Sequence, residues 1–379
     1  MDTRRLVLFS FLLCVVGTTR TAAQEASPIP WVADQELVEE LQAAPGAEAE
    51  RAEKLIALFQ QAGLAEVKKQ EVQLPGRPEG RPAPQLFNVI AVLPGKSPDC
   101  IVVGAHTDFT KGGTGVIDDW SGASLLANIA QTLGPLPRQH TFLFIGFTLE
   151  EARLRGSTHY VRHLSREEKN RIVAMVNLDC LGVSQTFLWQ TGSADALETL
   201  ASRVAAEQQA PLTARQLRNV TSDSDAFMAA SIPAITFDSL TTADFDLIDS
   251  PRDRFDAINP TNYSAQYHFL VHYLLALDQT KGPIDPANKD RPPMRLQPGF
   301  QPDMKKLREE GTVVAVEVID WSPEKQAGLQ PGDIVVKFGG VVVRSPDDFV
   351  QRFLGVKAGD KVSATVNRDG KDVELEIQY

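Results

Sequence analysis

IVVGAHTDFTKGGTGVIDDWSG, residues 101–122, runs from an apolar segment through a glycine-rich loop into a helix start. Ile101, Val102 and Val103 read as a buried strand that delivers His106 and Asp108 at its carboxyl end. Asp118 and Asp119 follow the loop, and Ser121-Gly122 open the helix. One imidazole and several carboxylates gathered at a strand end are the raw material of a divalent-metal site. An H-x-D alone has a plainer reading, a polar strand end with a hydrogen-bonded histidine. The sequence downstream chooses between the two.

Outward from this stretch, apolar runs alternate with helical spacings. Upstream, Leu55, Ile56, Leu58, Phe59 and Ala62 recur at helical spacing over 47–64, with Gly63 as a C-cap. Residues 67–74 alternate like a strand, and 87–93 form a second strand closed by Pro94-Gly95. Downstream come a helix over 123–133, a strand over 140–148 with Glu150-Glu151 just past its end, and a helix over 157–164. A strand over 172–178 ends at Asp179, followed by short strands at 186–190 and 234–237 and helices at 194–209 and 260–279. This alternation predicts an α/β domain with a mostly parallel, doubly wound sheet and helices on both faces. His106, Glu150, Glu151 and Asp179 then all lie at or just beyond strand carboxyl ends, the edge where open α/β sheets bind ligands.

The 379 residues suit two or three domains, and 43% hydrophobic with 23% charged residues is the composition of a chain that buries a core. With 38 basic against 49 acidic residues the net charge is −11, which argues against nucleic acid or an anionic membrane surface as main partner. Arg4 and Arg5, the apolar Leu6–Val16 and the small Thr21-Ala22-Ala23 predict a signal peptide over 1–23 and an extracytoplasmic mature protein, secreted or periplasmic. A retained anchor is the plainer alternative, and no later segment is apolar enough to span a bilayer. Cys100 and Cys180 then remain, read as two buried thiols, with a single bridge left open.

The segments GAHTD (104–108), GVIDDWSG (115–122), EEARLRGS (150–157) and NLD (177–179) resemble the secreted co-catalytic zinc aminopeptidases, which share a family with the glutaminyl cyclases. The resemblance covers residues 29–281. It implies two metal ions sharing Asp118 as a bridge, because two dications ~3.5–4 Å apart need negative charge between them. It further implies His106 and Asp179 on one ion, Glu151 on the other, and Asp108 fixing the His106 ring through its second N–H. Glu150 would be the general base, taking a proton from the attacking water and returning it to the leaving amine. Asp119 is expected to be a solvated neighbour of Asp118. The resemblance fails at one position: the family's last ligand is a histidine, and Asp249 stands there, in IDSPRD (248–253). Zinc is the expected cofactor, as one or two ions. The all-oxygen set Asp118, Glu151 and Asp249 shifts the second site toward manganese or magnesium. Ser222-Asp223-Ser224 and Arg153 are lesser departures. The pairs His268/His272 and His159/His163 have chelating spacing but no carboxylate pattern beside them, and are read as packed or surface residues.

Residues 282–293, rich in proline and charge, read as a linker, and the texture changes beyond them. Over 294–379, short strands surround one helix near 346–353. Ser322-Pro323, AGLQPGDI (327–334) and Gly339-Gly340 resemble a bacterial protease-type PDZ domain, with Asn367-Arg368-Asp369-Gly370 as its last hairpin turn. Such domains take a peptide C-terminus as an added strand, which implies Gly299 and Phe300 as the binding loop. Pro298 removes one donor there and Asp303 adds negative charge. The leading expectation is an aminopeptidase acting on peptide substrates. The alternatives are a weak or inactive scaffold working through its PDZ-like domain, and a glutaminyl-cyclase-like acyltransferase.

Overall fold

The computed structural model describes residues 28–72, 86–110, 112–217, 220–288, 300–303, 306, 310–318, 322–353, 355–356 and 360–378. The expected signal segment, residues 289–293 of the linker and Gly299 lie outside these residues. Helices α1 (Asp34–Gln42) and α2 (Glu48–Gln61) lead into β1 (Glu66–Glu71), β2 (Phe87–Leu93) and β3 (Cys100–His106). Then follow α3 (Ser121–Leu133), β4 (Thr141–Phe147), α4 (Arg155–His163), α5 (Arg166–Arg171), β5 (Ile172–Leu178) and β6 (Thr186–Trp189). The domain ends with α6 (Asp195–Gln208), β7 (Leu212–Arg215), α7 (Ser224–Ala229), β8 (Ala234–Asp238) and α8 (Pro260–Asp278).

The strands form one sheet in the order β1-β2-β4-β3-β5-β8-β6-β7. The central run β4-β3-β5-β8 is parallel throughout, and β1/β2, β2/β4 and β8/β6 are antiparallel. The sheet is therefore mixed, parallel where it carries the site. Apolarity explains the centre: every residue of β3 is buried, as expected for a strand covered on both faces. The polar β1, EVKKQE, shows only exposed and half-buried positions and closes one edge with charge. One face packs against α1, α2, α3, α6 and α8, the other against α4 and α7. From β3 the chain moves through α3 to β4 on one side, then through α4 and α5 to β5 on the other. Their carboxyl ends flank the point where winding reverses, which opens a crevice there.

Three elements were not expected from the sequence. Ser165 caps α5 by accepting from the Glu168 N–H while the Glu168 carboxylate takes its own, so the chain restarts a helix where one was read to end. α7 is six residues long, and β7 (LTAR) is a half-exposed edge, so neither has a strong apolar period. Cys100 and Cys180 are buried free thiols.

A separate apolar cluster begins at Phe300. It is built from β9 (Phe300–Pro302), β10 (Ala315–Val318), α9 (Pro323–Gln326), β11 (Ile334–Phe338), β12 (Val341–Val342), α10 (Pro346–Phe353), β13 (Lys361–Arg368) and β14 (Lys371–Gln378). β12-β11-β13-β14 form an antiparallel sheet, and β9 pairs with β10. Asp369 and Gly370, at φ 51° and 80°, make the tight β13–β14 turn that their sequence predicts. No helix among the described residues is long and apolar enough to cross a membrane.

Candidate metal centre

His106, the last residue of β3, points Nε2 at Asp118 Oδ1, 2.8 Å away. Asp118 stands in the turn Val116–Trp120, between the glycine-rich loop and α3. Asp179 follows β5, Glu150 and Glu151 follow β4, and Asp249 lies in the segment before α8. The fold gathers ligand atoms from these separate loops into two groups. His106, Asp118 and Asp179 place theirs within 4.8 Å of one another, and so do Asp118, Glu151 and Asp249. Asp118 belongs to both. The first group is wholly buried, whereas Glu151 is half-buried and Asp249 exposed.

The residues behind this cluster explain its shape. The Asp108 carboxylate accepts the Glu150 N–H at 3.0 Å with one oxygen and the Glu151 N–H at 3.1 Å with the other. His106 Nδ1 lies 3.2 Å from the Asp108 carbonyl oxygen and 3.5 Å from its carboxylate. The expected contact to the imidazole is therefore shared with the main chain, and the carboxylate mainly holds the glutamate pair.

Asp119 corrects an expectation. It is fully buried, not a solvated neighbour. Its carboxylate accepts N–H groups of His106 at 3.2 Å, Gly122 at 3.0 Å and Cys180 at 3.1 Å. One side chain thus ties the end of β3 to the start of α3 and the end of β5, because buried carboxylates need such partners. Gly122 makes room for it: a Cβ there would stand 2.7 Å from the Asp119 oxygens.

Ser222 Oγ donates to Asp179 at 2.6 Å and accepts from the Asn177 amide at 2.5 Å. The loop bearing Asp118 is held from two sides. Fully buried Arg51 donates to the carbonyls of Thr114 (2.5 Å) and Pro45 (3.0 Å) and lies 4.2 Å over the Phe109 ring. Asp253 accepts the Ile117 N–H at 2.6 Å. Sequence reasoning passed over Arg51, although it lies in helical register with Leu55, Leu58 and Phe59 on the apolar face of α2. A charge on that stripe was the available signal. Ser222 was marked only as part of a departure from the resemblance, and Asp253 sits in a loop with no apolar period to mark it.

Crowded acids perturb one another. Burial raises Glu151 to about 8, with the charge of Asp118 adding to it. Glu150 lies well above the usual carboxylate range because of burial, which His106 opposes and Asp223, Asp179 and Asp118 reinforce. Buried Asp223 is pushed up to about 7 by the same desolvation, against the pull of His106. Burial opposes charge on His106, yet hydrogen bonds to Asp108 and Asp118 carry it well above its ordinary value. So much like charge in one crevice is what dications would neutralise, and the donor set of one imidazole and several carboxylates fits them.

The sheet order and the loops that carry these acids define a class, the α/β fold shared by zinc aminopeptidases and glutaminyl cyclases. Within it, residues 88–274 match peptidase family M28, and residues 299–379 match the PDZ domain; the chain carries an M28 domain followed by a PDZ domain. A stretch of 122 residues is 37% identical to aminopeptidase YwaD of Bacillus subtilis, spanning 30% of this chain and 26% of that protein. The aligned part is thus about a quarter of that relative's length. Among solved structures, the LapA aminopeptidase of Legionella pneumophila matches with a TM-score of 0.56 at 20% identity, over 66% of this chain and 71% of that one. The glutaminyl cyclase of Porphyromonas gingivalis matches with a TM-score of 0.52 at 19% identity, over 64% and 94%. At these identities the structural matches speak for the fold alone.

His268 and His272 pack edge-on and tilted against Trp31, with ring centroids at 4.6 and 5.3 Å. His159 and His163 lie 3.9 Å apart on α4. Neither pair joins the acid cluster. Phe300 is buried at the start of β9, with its ring 5.7 Å from Phe349 of α10.

Proposed function

We propose that this chain is an exported metal-dependent aminopeptidase that removes N-terminal residues from peptides, with a PDZ domain that binds peptides. The observation that carries the reading is the pair of ligand groups sharing Asp118, with Glu150 beside them on the same turn as Glu151. Two cations held there would supply Lewis-acid stabilisation of charge on the scissile carbonyl oxygen and of the attacking water. His106, Asp118 and Asp179 would hold the first, with zinc the natural choice for an imidazole-containing set. Asp118, Glu151 and Asp249 would hold the second, whose all-oxygen donors favour manganese or magnesium.

The protein's own part is positional and protonic. Asp108 fixes the main chain of Glu150 and Glu151 together, so the base and the ligand face the cluster as a unit. A Glu150 carboxylate accepts the water's proton at Oε and returns it to the departing amine nitrogen. The charged and apolar pattern of residues 4–23 supports export.

Purified protein assayed on aminoacyl amides with added zinc, manganese or cobalt tests the proposal. Turnover with at least one metal is expected, and inactivity with all of them sinks it. A scaffold working through its PDZ domain is the second reading, favoured by the exposed Asp249 in place of the family's histidine. Binding of less than one ion per chain would support it.

A further inference from the structure

A cavity of about 570 Å³ lies between α8, the end of α6 and the start of β6, with Trp31 in its wall. That is the size of a small-molecule site. β6 runs antiparallel to β8, so its start reaches the sheet edge that also carries Asp179. The chain has a net charge of −11, yet no carboxylate, ammonium or guanidinium lines this cavity among the described residues. Side-chain amides stand there instead, those of Gln208 and Gln209 exposed, together with the rings of His268 and His272. Burial and the neighbouring His268 hold His272 below its ordinary value, so its ring adds no charge near neutral pH. Asp34 approaches His268 at 3.9 Å from outside this lining.

One wall is fixed by hydrogen bonds. Gln266 accepts the Gly182 N–H at 2.7 Å and donates to the Ser184 carbonyl at 2.9 Å, and the Asn262 amide donates to the Val183 carbonyl at 3.1 Å. Trp31 is fixed as well. Its ring packs against Tyr267, His268 and His272 at centroid distances of 5.8, 4.6 and 5.3 Å, and the next N–H, of Val32, donates to the Tyr267 hydroxyl. It nevertheless remains 38% exposed. An indole held in place beside an open cavity is a flat apolar wall that a ligand need not spend free energy to order.

We propose that this cavity binds an uncharged saccharide, with a sugar ring stacked on Trp31 and its hydroxyls bonded to the surrounding amides. A sugar ring has the matching double character, apolar C–H faces and a rim of hydroxyls that donate and accept. Side-chain amides also do both, and they meet hydroxyls without the desolvation cost of a charge. A peptide end would bring an ammonium or a carboxylate, and no described residue of this lining carries the opposite charge. None of these residues belongs to the acid cluster, so the inference stands apart from the aminopeptidase reading.

Calorimetric titration of the full-length chain tests it, with neutral hexasaccharides of glucose, mannose, galactose and N-acetylglucosamine as probes. An uncharged hexapeptide pool, acetylated and amidated at its ends, is titrated beside them. At least one hexasaccharide should bind with a Kd of about 1 mM or tighter. Trp31→Ala should weaken that binding by about tenfold, the scale of an aromatic contact. Ala265 is exposed on α8 and lines the cavity, so Ala265→Arg should fill the space and abolish binding with Tm unchanged. Failure of every hexasaccharide to bind overturns the proposal, and so does binding left intact by either substitution. Peptide binding in place of sugar binding, lost in Ala265→Arg, overturns it too and assigns the cavity to peptide amides.

Discussion

His106 and Asp179 stand at strand ends, buried and braced by hydrogen bonds, whereas Glu151 and Asp249 stand on loops, one half-buried and the other exposed. Both pairs are completed by the same Asp118. On the strand side, Ser222 holds Asp179, and Asp119 links the ends of β3 and β5. On the loop side, Asp249 has φ of +58° and lies against the glycine-rich loop, where a Cβ on Gly112 would meet its carbonyl oxygen at 2.7 Å. Side chains already fixed in place lose little freedom when a cation arrives, while loop side chains must be ordered by it. The strand site should therefore fill first and the loop site exchange its ion.

Replacing the shared residue gives the largest effect. Asp118→Ala should empty both sites and abolish turnover, with metal content by elemental analysis falling to background; one ion retained per chain would show that the halves are independent. Glu150→Gln should keep the metal content and lower turnover by at least ~10²-fold, the usual worth of a general base. An active mutant would remove Glu150 from the reaction. Asp249→His should raise zinc affinity at the loop site by about tenfold, read by competition with a chromophoric chelator, and leave the strand site unchanged. Equal loss from both sites in Asp249→Ala would break the contrast drawn here.

The smallest effect concerns the metal-free protein. Glu151 at about 8 and Asp223 at about 7 are raised above their ordinary values of 4.5 and 3.8. Between those limits the folded chain holds more protons than the unfolded one, so stability falls as pH rises. Thermal melts of the metal-free protein should drop by several degrees from pH 5 to pH 8, and saturating zinc or manganese should cancel the slope. A flat profile without metal would mean the acids are less crowded than their positions imply.

The sequence revealed the skeleton of this arrangement because buried parallel strands are written as continuous apolar runs. Ile172–Leu178 runs directly into Asp179, Ile101–Val103 lies three residues before His106, and the pairing of Glu150 with Glu151 was visible beyond the next such run. What stayed hidden was support. Asp119 reads as one more acid until the fold surrounds it with three main-chain donors. Arg51 and Asp253 act on Asp118 from 67 and 135 positions away in the chain, and no local period records such a meeting. One edge of the sheet was equally silent, since β7 has too few apolar residues to announce itself.

Asp108 grips the main chain of Glu150 with one oxygen and that of Glu151 with the other. Any lengthening or shortening of the segment after β4 would therefore displace Glu150 and Glu151 by the same step. An engineer wishing to retune one without the other has no handle on that turn. The accessible place to begin is the opposite rim, where Asp249 meets solvent and can be exchanged without disturbing the gripped pair.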